Sequence, residues 1–155
     1  MRALIQRVLE SEVKINDKSI GKIGKGFLVL LGITHTDTKK EVEWLANKIK
    51  GLRVFEDENG KMNLGLDEIS GDILIVSQFT LYGNCIKGKR PGFTEAARPD
   101  IAIPLYENFI EKFKEFNVGK VETGKFGADM KVSLINDGPV TLMIDTKDIK
   151  NINGI

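Results

Sequence analysis

The sequence predicts one α+β domain whose mixed, mostly antiparallel sheet curls toward a barrel, with two main helices packed on it. Three observations predict this. About eight short β-prone segments run along the chain, several joined by turns too short for a crossover, which favours antiparallel pairing. Only two segments carry an apolar stripe at helical period. Two helices cannot cover both faces of so many strands, so the sheet must curl or close on itself, and a face left bare is consistent with a homodimer.

The strands begin at once. Ala3 to Val8 is β-prone, and Val13-Lys14-Ile15 alternates apolar and polar. Asn16-Asp17 is a turn signal, and Ser19 to Ile23 follows as a short strand. Gly26 introduces Phe27-Leu28-Val29-Leu30-Leu31, an unbroken apolar run that suits a strand buried on both faces. Asp37 or Thr38 could cap the next helix, and Thr38 and Glu41 have the spacing of a capping box. They open a helix over Lys39 to Lys50, whose Val42, Leu45, Ala46 and Ile49 form one stripe and whose C-cap is Gly51.

Leu52 to Phe55 reads as a short strand and Glu56 to Gly60 as a turn. Asp72 to Phe79 contains a second apolar strand, Ile73-Leu74-Ile75-Val76. Gly83 to Asp100 has a loop's composition, and loops this long usually carry function. Pro104 to Phe116 is the second helix, with Tyr106, Phe109, Ile110 and Phe113 as its stripe and Pro104 in its first turn. Val118 to Glu122, Lys131 to Ile135 and Val140 to Asp145 complete the strands, the last two separated by Asn136-Asp137-Gly138-Pro139.

No repeat or linker interrupts the 155 residues, so residues 1–155 read as a single domain. A chain of this size can bury roughly 70% of its unfolded surface, enough for a core without staples. Apolar residues make up 41% and charged residues 29%, which excludes disorder. The formal charge of +1 excludes a globally basic coat and leaves only a local patch for nucleic acid. Cys85 is the sole cysteine, so no internal disulfide or cysteine-based zinc cluster forms. His35 is the sole histidine, which argues against a histidine-rich metal site or a catalytic triad. No cofactor or metal is expected. The apolar runs fall far short of a membrane span, no signal-peptide pattern is found, and a cytoplasmic location is the expectation.

Three segments carry the candidate chemistry. Ser77-Gln78-Phe79-Thr80 follows a buried strand and offers two hydroxyls, an amide and an aromatic ring where sites tend to lie. A Thr80 nucleophile would need a base, and nothing in the sequence brings His35 to it. Lys87, Lys89 and Arg90 give the stretch from Lys87 to Arg98 four cations against one anion, Glu95, beside the aromatics Tyr82 and Phe93. That combination suits a phosphate backbone with stacked bases. Cys85 beside these cations reads as incidental. Gly138-Pro139 lies between strands, where base rates alone favour a trans turn.

These segments together resemble the D-aminoacyl-tRNA deacylase family almost from end to end. The likeness begins at Met1-Arg2-Ala3-Leu4-Ile5-Gln6-Arg7-Val8 and is sharpest at Ser77-Gln78-Phe79-Thr80-Leu81-Tyr82 and Asn136-Asp137-Gly138-Pro139-Val140-Thr141. Gly88-Lys89-Arg90-Pro91 and Ala97-Arg98-Pro99 also fit, whereas Gly83-Asn84-Cys85-Ile86 and Gly92 depart from the pattern. The resemblance implies the family's fold and a homodimeric ester hydrolase that removes D-amino acids, and glycine, from the 3′ end of mischarged tRNA. It implies a cis Gly138-Pro139 bond entering the other subunit's active site, supported by Arg7. It implies that Ser77 to Thr80 form the pocket for the terminal adenosine and aminoacyl group.

From this follows an expected mechanism in which the ribose 2′-hydroxyl assists and backbone N–H groups near Phe79 and Thr80 stabilise the oxyanion. Carbonyls of the Gly138-Pro139 turn would hold the α-ammonium and shut out L side chains. Lys87, Lys89 and Arg90 are the expected tRNA contacts, with no role for DNA or membrane. The alternatives are a non-catalytic tRNA- or RNA-binding module and a serine or threonine hydrolase of small esters or peptides.

Overall fold

A bulge decides how the chain begins. In the computed structural model, which describes residues 1–149, a single strand β1 spans Arg2–Ile15 rather than two short ones. Its register against the last strand slips between Val8 and Glu10, so Leu9 is an extra residue, half exposed. The slip reverses the alternation, so Val8 and Val13 line the same core although they are five positions apart, an odd offset. That reversal is why the pattern reads as two strands.

Asn16 and Asp17 both take positive φ, 48° and 64°, as a two-residue hairpin turn into β2 (Lys18–Ile23) requires. Next comes β3 (Gly26–Gly32), antiparallel to the first half of β1, while β2 pairs with its second half. Thr38 caps α1 (Lys39–Lys50): its hydroxyl accepts from the Lys40 N–H, and its own N–H donates to Glu41 at 2.7 Å. The predicted stripe Val42, Leu45, Ala46 and Ile49 is fully buried.

The segment after α1 differs from expectation. Leu52 to Val54 is not strand; a small hairpin pairs β4 (Phe55–Glu56) with β5 (Met62–Leu64). Then β6 (Asp72–Ser77) lies parallel to β3, with Phe27 opposite Ile73 and Leu31 opposite Ser77. A 3-10 turn over Phe79–Tyr82 ends this strand two residues earlier than predicted. The second helix, α2 (Pro99–Glu115), starts at Pro99, which fits the first turn because its missing N–H is not needed there. Pro104 sits within the helix, at an exposed position on the face away from the core. Its stripe Tyr106, Phe109, Ile110 and Phe113 is buried as predicted.

Short β7 (Val121–Thr123) is parallel to β6, and β8 (Lys131–Asp145) runs antiparallel to the whole of β1. The order is β2-β1-β3-β6-β7, with β8 on the other edge of β1. Two cores result. Phe27, Val29, Leu31, Ile73 and Ile75 face both helices, while Leu28, Leu74 and Val76 meet Val8, Val13 and Ile23 inside the curl. Gly21 of β2 lies so close to β7 that a Cβ there would meet the Thr123 carbonyl at 3.0 Å, so the sheet nearly closes. No helix among the described residues is long and apolar enough to cross a membrane.

Candidate active site

Ser77 ends β6 directly beside Leu31, and the Gln78 N–H donates to the Leu31 carbonyl at 2.7 Å. This pins the start of the 3-10 turn to the end of β3. Within the turn, Leu81 N–H donates to Gln78 and Gly83 N–H to Thr80. Phe79 and Thr80 open the turn, where N–H groups have no carbonyl behind them, and the Gln78 side chain does not cap them. Two adjacent backbone donors thus stand open at an exposed strand end. The Gln78 side-chain amide donates to the Thr80 hydroxyl. An amide cannot take up a proton, and His35 bonds instead to the Thr94 carbonyl at 2.9 Å, so Thr80 has no activating base.

Phe79 is 55% exposed and packs edge-on against Phe93, with centroids 5.1 Å apart and planes at 74°. This pair joins the turn to the long loop. There Asn84 and Gly92 exchange two backbone hydrogen bonds of 2.8 and 2.9 Å, which makes residues 84–92 a hairpin-like finger. Lys87, Lys89 and Arg90 are exposed on it and have no ion-pair partner among the described residues. Cys85 is exposed there too.

Gly138 and Pro139 lie elsewhere. The bond between them is cis, and Gly138 has φ of 129°, where a Cβ would come within 2.9 Å of Val140 and 3.2 Å of Arg7. They do not separate two strands. In the β1–β8 ladder, Gln6 pairs with Thr141 and Val8 with Asn136, so residues 137–140 bulge out opposite the single residue Arg7. Both Gly138 and Pro139 are exposed at the crest of the bulge. Its base is closed by Asn136, whose side chain accepts from Val140 N–H at 3.0 Å and donates to the Thr141 hydroxyl at 2.8 Å.

Arg7 holds the bulge from beneath. It is 5% exposed, and its guanidinium donates to the Asp137 carbonyl at 3.1 Å and the Val54 carbonyl at 2.6 Å. The Asp137 carboxylate lies 3.5 Å away. One residue therefore ties the bulge to the segment ahead of β4. The Val54 carbonyl escaped the sequence reading because its contact with Arg7 is made across the fold, whereas Asn136, which opens the Asn-Asp-Gly-Pro run, bonds locally to Val140 and Thr141.

The two halves of the candidate site do not meet within the chain. Ser77 lies three strands from β8, and it aligns through Leu31 with Ala3, whereas the bulge aligns with Arg7. Three strand spacings and four residues along the strand put them roughly 19 Å apart along the sheet. On the outer side, β8 leaves one edge unpaired, and Leu9, Ile135, Leu142 and Met143 are exposed around it. A long apolar edge of this kind is a template for another chain.

Among the described residues no cluster of His, Cys, Asp or Glu has the makeup of a metal site. Tyr82, the last residue of the turn, is buried, and its hydroxyl has no hydrogen-bond partner among the described residues. Burial, and then the carboxylates of Asp37 and Asp145, push that phenol well above its ordinary range.

The family described as "D-Tyr-tRNA(Tyr) deacylase" matches residues 4–145 of this chain. A D-aminoacyl-tRNA deacylase of Fusobacterium nucleatum is 60% identical over 148 residues, covering 96% of this chain and 97% of the relative. One from Thermotoga petrophila is 54% identical over 149 residues, covering 96% and 99%. Among solved structures, a "c-Myc DNA Unwinding Element Binding Protein" superposes with a TM-score of 0.88 at 42% identity, over 94% of this chain and 98% of the other. A "probable eukaryotic D-amino acid tRNA deacylase" shares the fold with a TM-score of 0.77 at 20% identity, over 92% and 97%.

Proposed function

The chain belongs to the D-Tyr-tRNA(Tyr) deacylase family, and we propose on that footing that it is a D-aminoacyl-tRNA deacylase working as a cytoplasmic homodimer with a composite site. The observation that carries the composite site is the separation of the open Phe79–Thr80 turn from the exposed Gly138-Pro139 bulge within one protomer. A second copy docked on the free β8 edge brings its bulge to the first copy's turn. The apolar residues Leu9, Ile135, Leu142 and Met143 supply the area that docking buries.

The substrate is an ester between an amino acid and a ribose hydroxyl of tRNA. Such an ester is already activated, so positioning and charge stabilisation suffice. The Phe79 and Thr80 N–H groups receive the carbonyl oxygen as it becomes an oxyanion. The ribose 2′-hydroxyl beside the ester assists the attack of water. This assignment agrees with a Thr80 hydroxyl whose close partner is the Gln78 amide and not a base. Ser77 and Gln78 shape the pocket for the terminal adenosine, and the exposed ring of Phe79 gives it a stacking face.

Chirality is read by exclusion. The carbonyls of Gly138 and Pro139 sit on a bulge that Arg7 holds at the Asp137 carbonyl and Asn136 at the Val140 N–H; they accept the α-ammonium and fix Cα against backbone. An L side chain then points into that backbone, and a D side chain points away. Glycine has nothing to exclude and is also released. Lys87, Lys89 and Arg90 on the finger pair with tRNA phosphates.

The test is deacylation of matched D- and L-aminoacyl-tRNA and of glycyl-tRNA, run beside a measurement of molecular mass in solution. Release of the D and glycyl esters by a dimer, with the L ester spared, is expected. Binding of tRNA without hydrolysis would leave only an RNA-binding module. Hydrolysis of small esters blocked by hydroxyl-directed acylating reagents would place the chemistry on Thr80 or Ser77.

A further inference from the structure

Arg2 touches the Phe79–Tyr82 turn from behind. Its Nε donates to Asp145 Oδ2 at 2.7 Å, and its Nη1 donates to the Leu81 carbonyl at 2.8 Å. Its guanidinium also lies over the Tyr82 ring, 4.4 Å from the centroid. The ladder explains the reach. Arg2 is paired with Asp145 of β8 on one side and with Gly32 of β3 on the other. Gly32 has no side chain, and the turn settles directly on it. A Cβ there would lie 3.1 Å from the Gln78 carbonyl, 3.2 Å from Leu81 Cβ and 3.3 Å from Tyr82 Cδ2.

We infer that Arg2, anchored by Asp145, is a positioning residue that fixes the Phe79–Tyr82 turn and thereby aims the Phe79 and Thr80 N–H groups. The physical reason is the shortness of the turn. Its four residues carry little hydrogen bonding of their own. Its last carbonyls need donors from outside, and Leu81 receives one from Arg2. A planar guanidinium can bond a carboxylate, a carbonyl and a ring face at once, which a lysine ammonium cannot. Asp145 is the anchor because its side chain is 10% exposed and it accepts the Arg2 bond in a site poor in water. The inference rests on the proposed role of the turn as oxyanion binder, so its test includes a readout that does not use activity.

Four proteins decide it: wild type, R2A, R2K and R2A/D145A. Amide hydrogen exchange is followed in the peptide spanning residues 78–83 and in control peptides from α1 and β6, alongside kcat and KM for a D-aminoacyl-tRNA. In R2A the turn amides are expected to exchange at least fivefold faster, with the controls unchanged. Its kcat should fall between tenfold and about a hundredfold, with KM within twofold, because a misaimed oxyanion donor weakens only the transition state. R2K should resemble R2A, and R2A/D145A should be no worse than R2A, since the two residues act as one unit. Unchanged exchange in the turn, exchange rising equally in α1 and β6, or a rise in KM alone overturns the inference. If the wild type releases no D-amino acid, the functional reading fails, while the exchange data still decide whether Arg2 holds the turn.

Discussion

Arg7→Ala removes the side chain that ties the Gly138-Pro139 bulge to the segment ahead of β4. The guanidinium makes two charge-assisted hydrogen bonds to carbonyls, at 2.6 and 3.1 Å, and is 5% exposed. Bonds of this kind contribute about 1.5–3 kcal/mol each. The Asp137 carboxylate is 35% exposed at 3.5 Å, so solvent screening holds its share below about 1 kcal/mol. The loss should therefore be about 4 kcal/mol, which for a domain of this length lowers Tm by roughly 8–16 °C. Urea unfolding at fixed protein concentration measures it. At a temperature where the variant is still folded, the ratio of D- to L-aminoacyl-tRNA turnover should drop at least tenfold, because the bulge carbonyls are free to move. R7K should lose about half as much stability, since an ammonium reaches one carbonyl at a time. A loss under about 1 kcal/mol, or intact discrimination in a folded R7A protein, would refute the reasoning.

Other outcomes follow from the same geometry. Neutralising Lys87, Lys89 and Arg90 together should lower the slope of log affinity for tRNA against log salt by about two to three, as filter binding over a salt series would show. Thr38→Ala removes the hydroxyl of the capping box of α1 and should cost about 1 kcal/mol in urea unfolding, with no change in kcat. Burial holds the Asp145 carboxyl up, but the Arg2 hydrogen bond and the Lys147 N–H outweigh it and leave it below its ordinary value. Its contribution to stability is thus present above its unfolded pKa of about 4 and is lost as pH falls through the lower folded value. The D145N variant should lose less stability than wild type over that acid range. Burial raises both tyrosines, Tyr106 to about 12 and Tyr82 beyond the ordinary range. Absorbance near 295 nm should therefore show no phenolate in the native protein at pH 10. The stability owed to the neutral phenols is complete below pH about 10 and is lost as pH climbs toward their folded values.

What the sequence decided by itself is local. The capping box at Thr38, the stripes of α1 and α2, the Asn16-Asp17 turn and the two apolar strands at Phe27 and Ile73 are set by neighbours a few residues away, and the structure keeps each of them. The motif residues Ser77 to Thr80 and Gly138-Pro139 were legible too, by their likeness to a family. Where contacts are distant, the pattern misled. Leu9 turns two apparent strands into one because its extra position is visible only against β8. Residues 136–139 look like a boundary between strands, yet β1 lies alongside and carries the ladder past them. Pro99 rather than Pro104 starts α2: Arg98, extended as a residue before proline tends to be, is the last residue outside the helix, and Pro99 takes the first turn. Arg2, Gly32 and Val54 acquire their importance only when β1 lies beside β3, β8 and the segment ahead of β4. Periodicity reports which face of an element avoids water. It carries no record of which carbonyl a buried guanidinium will reach, since that partner is chosen by the pairing of strands far apart in the chain.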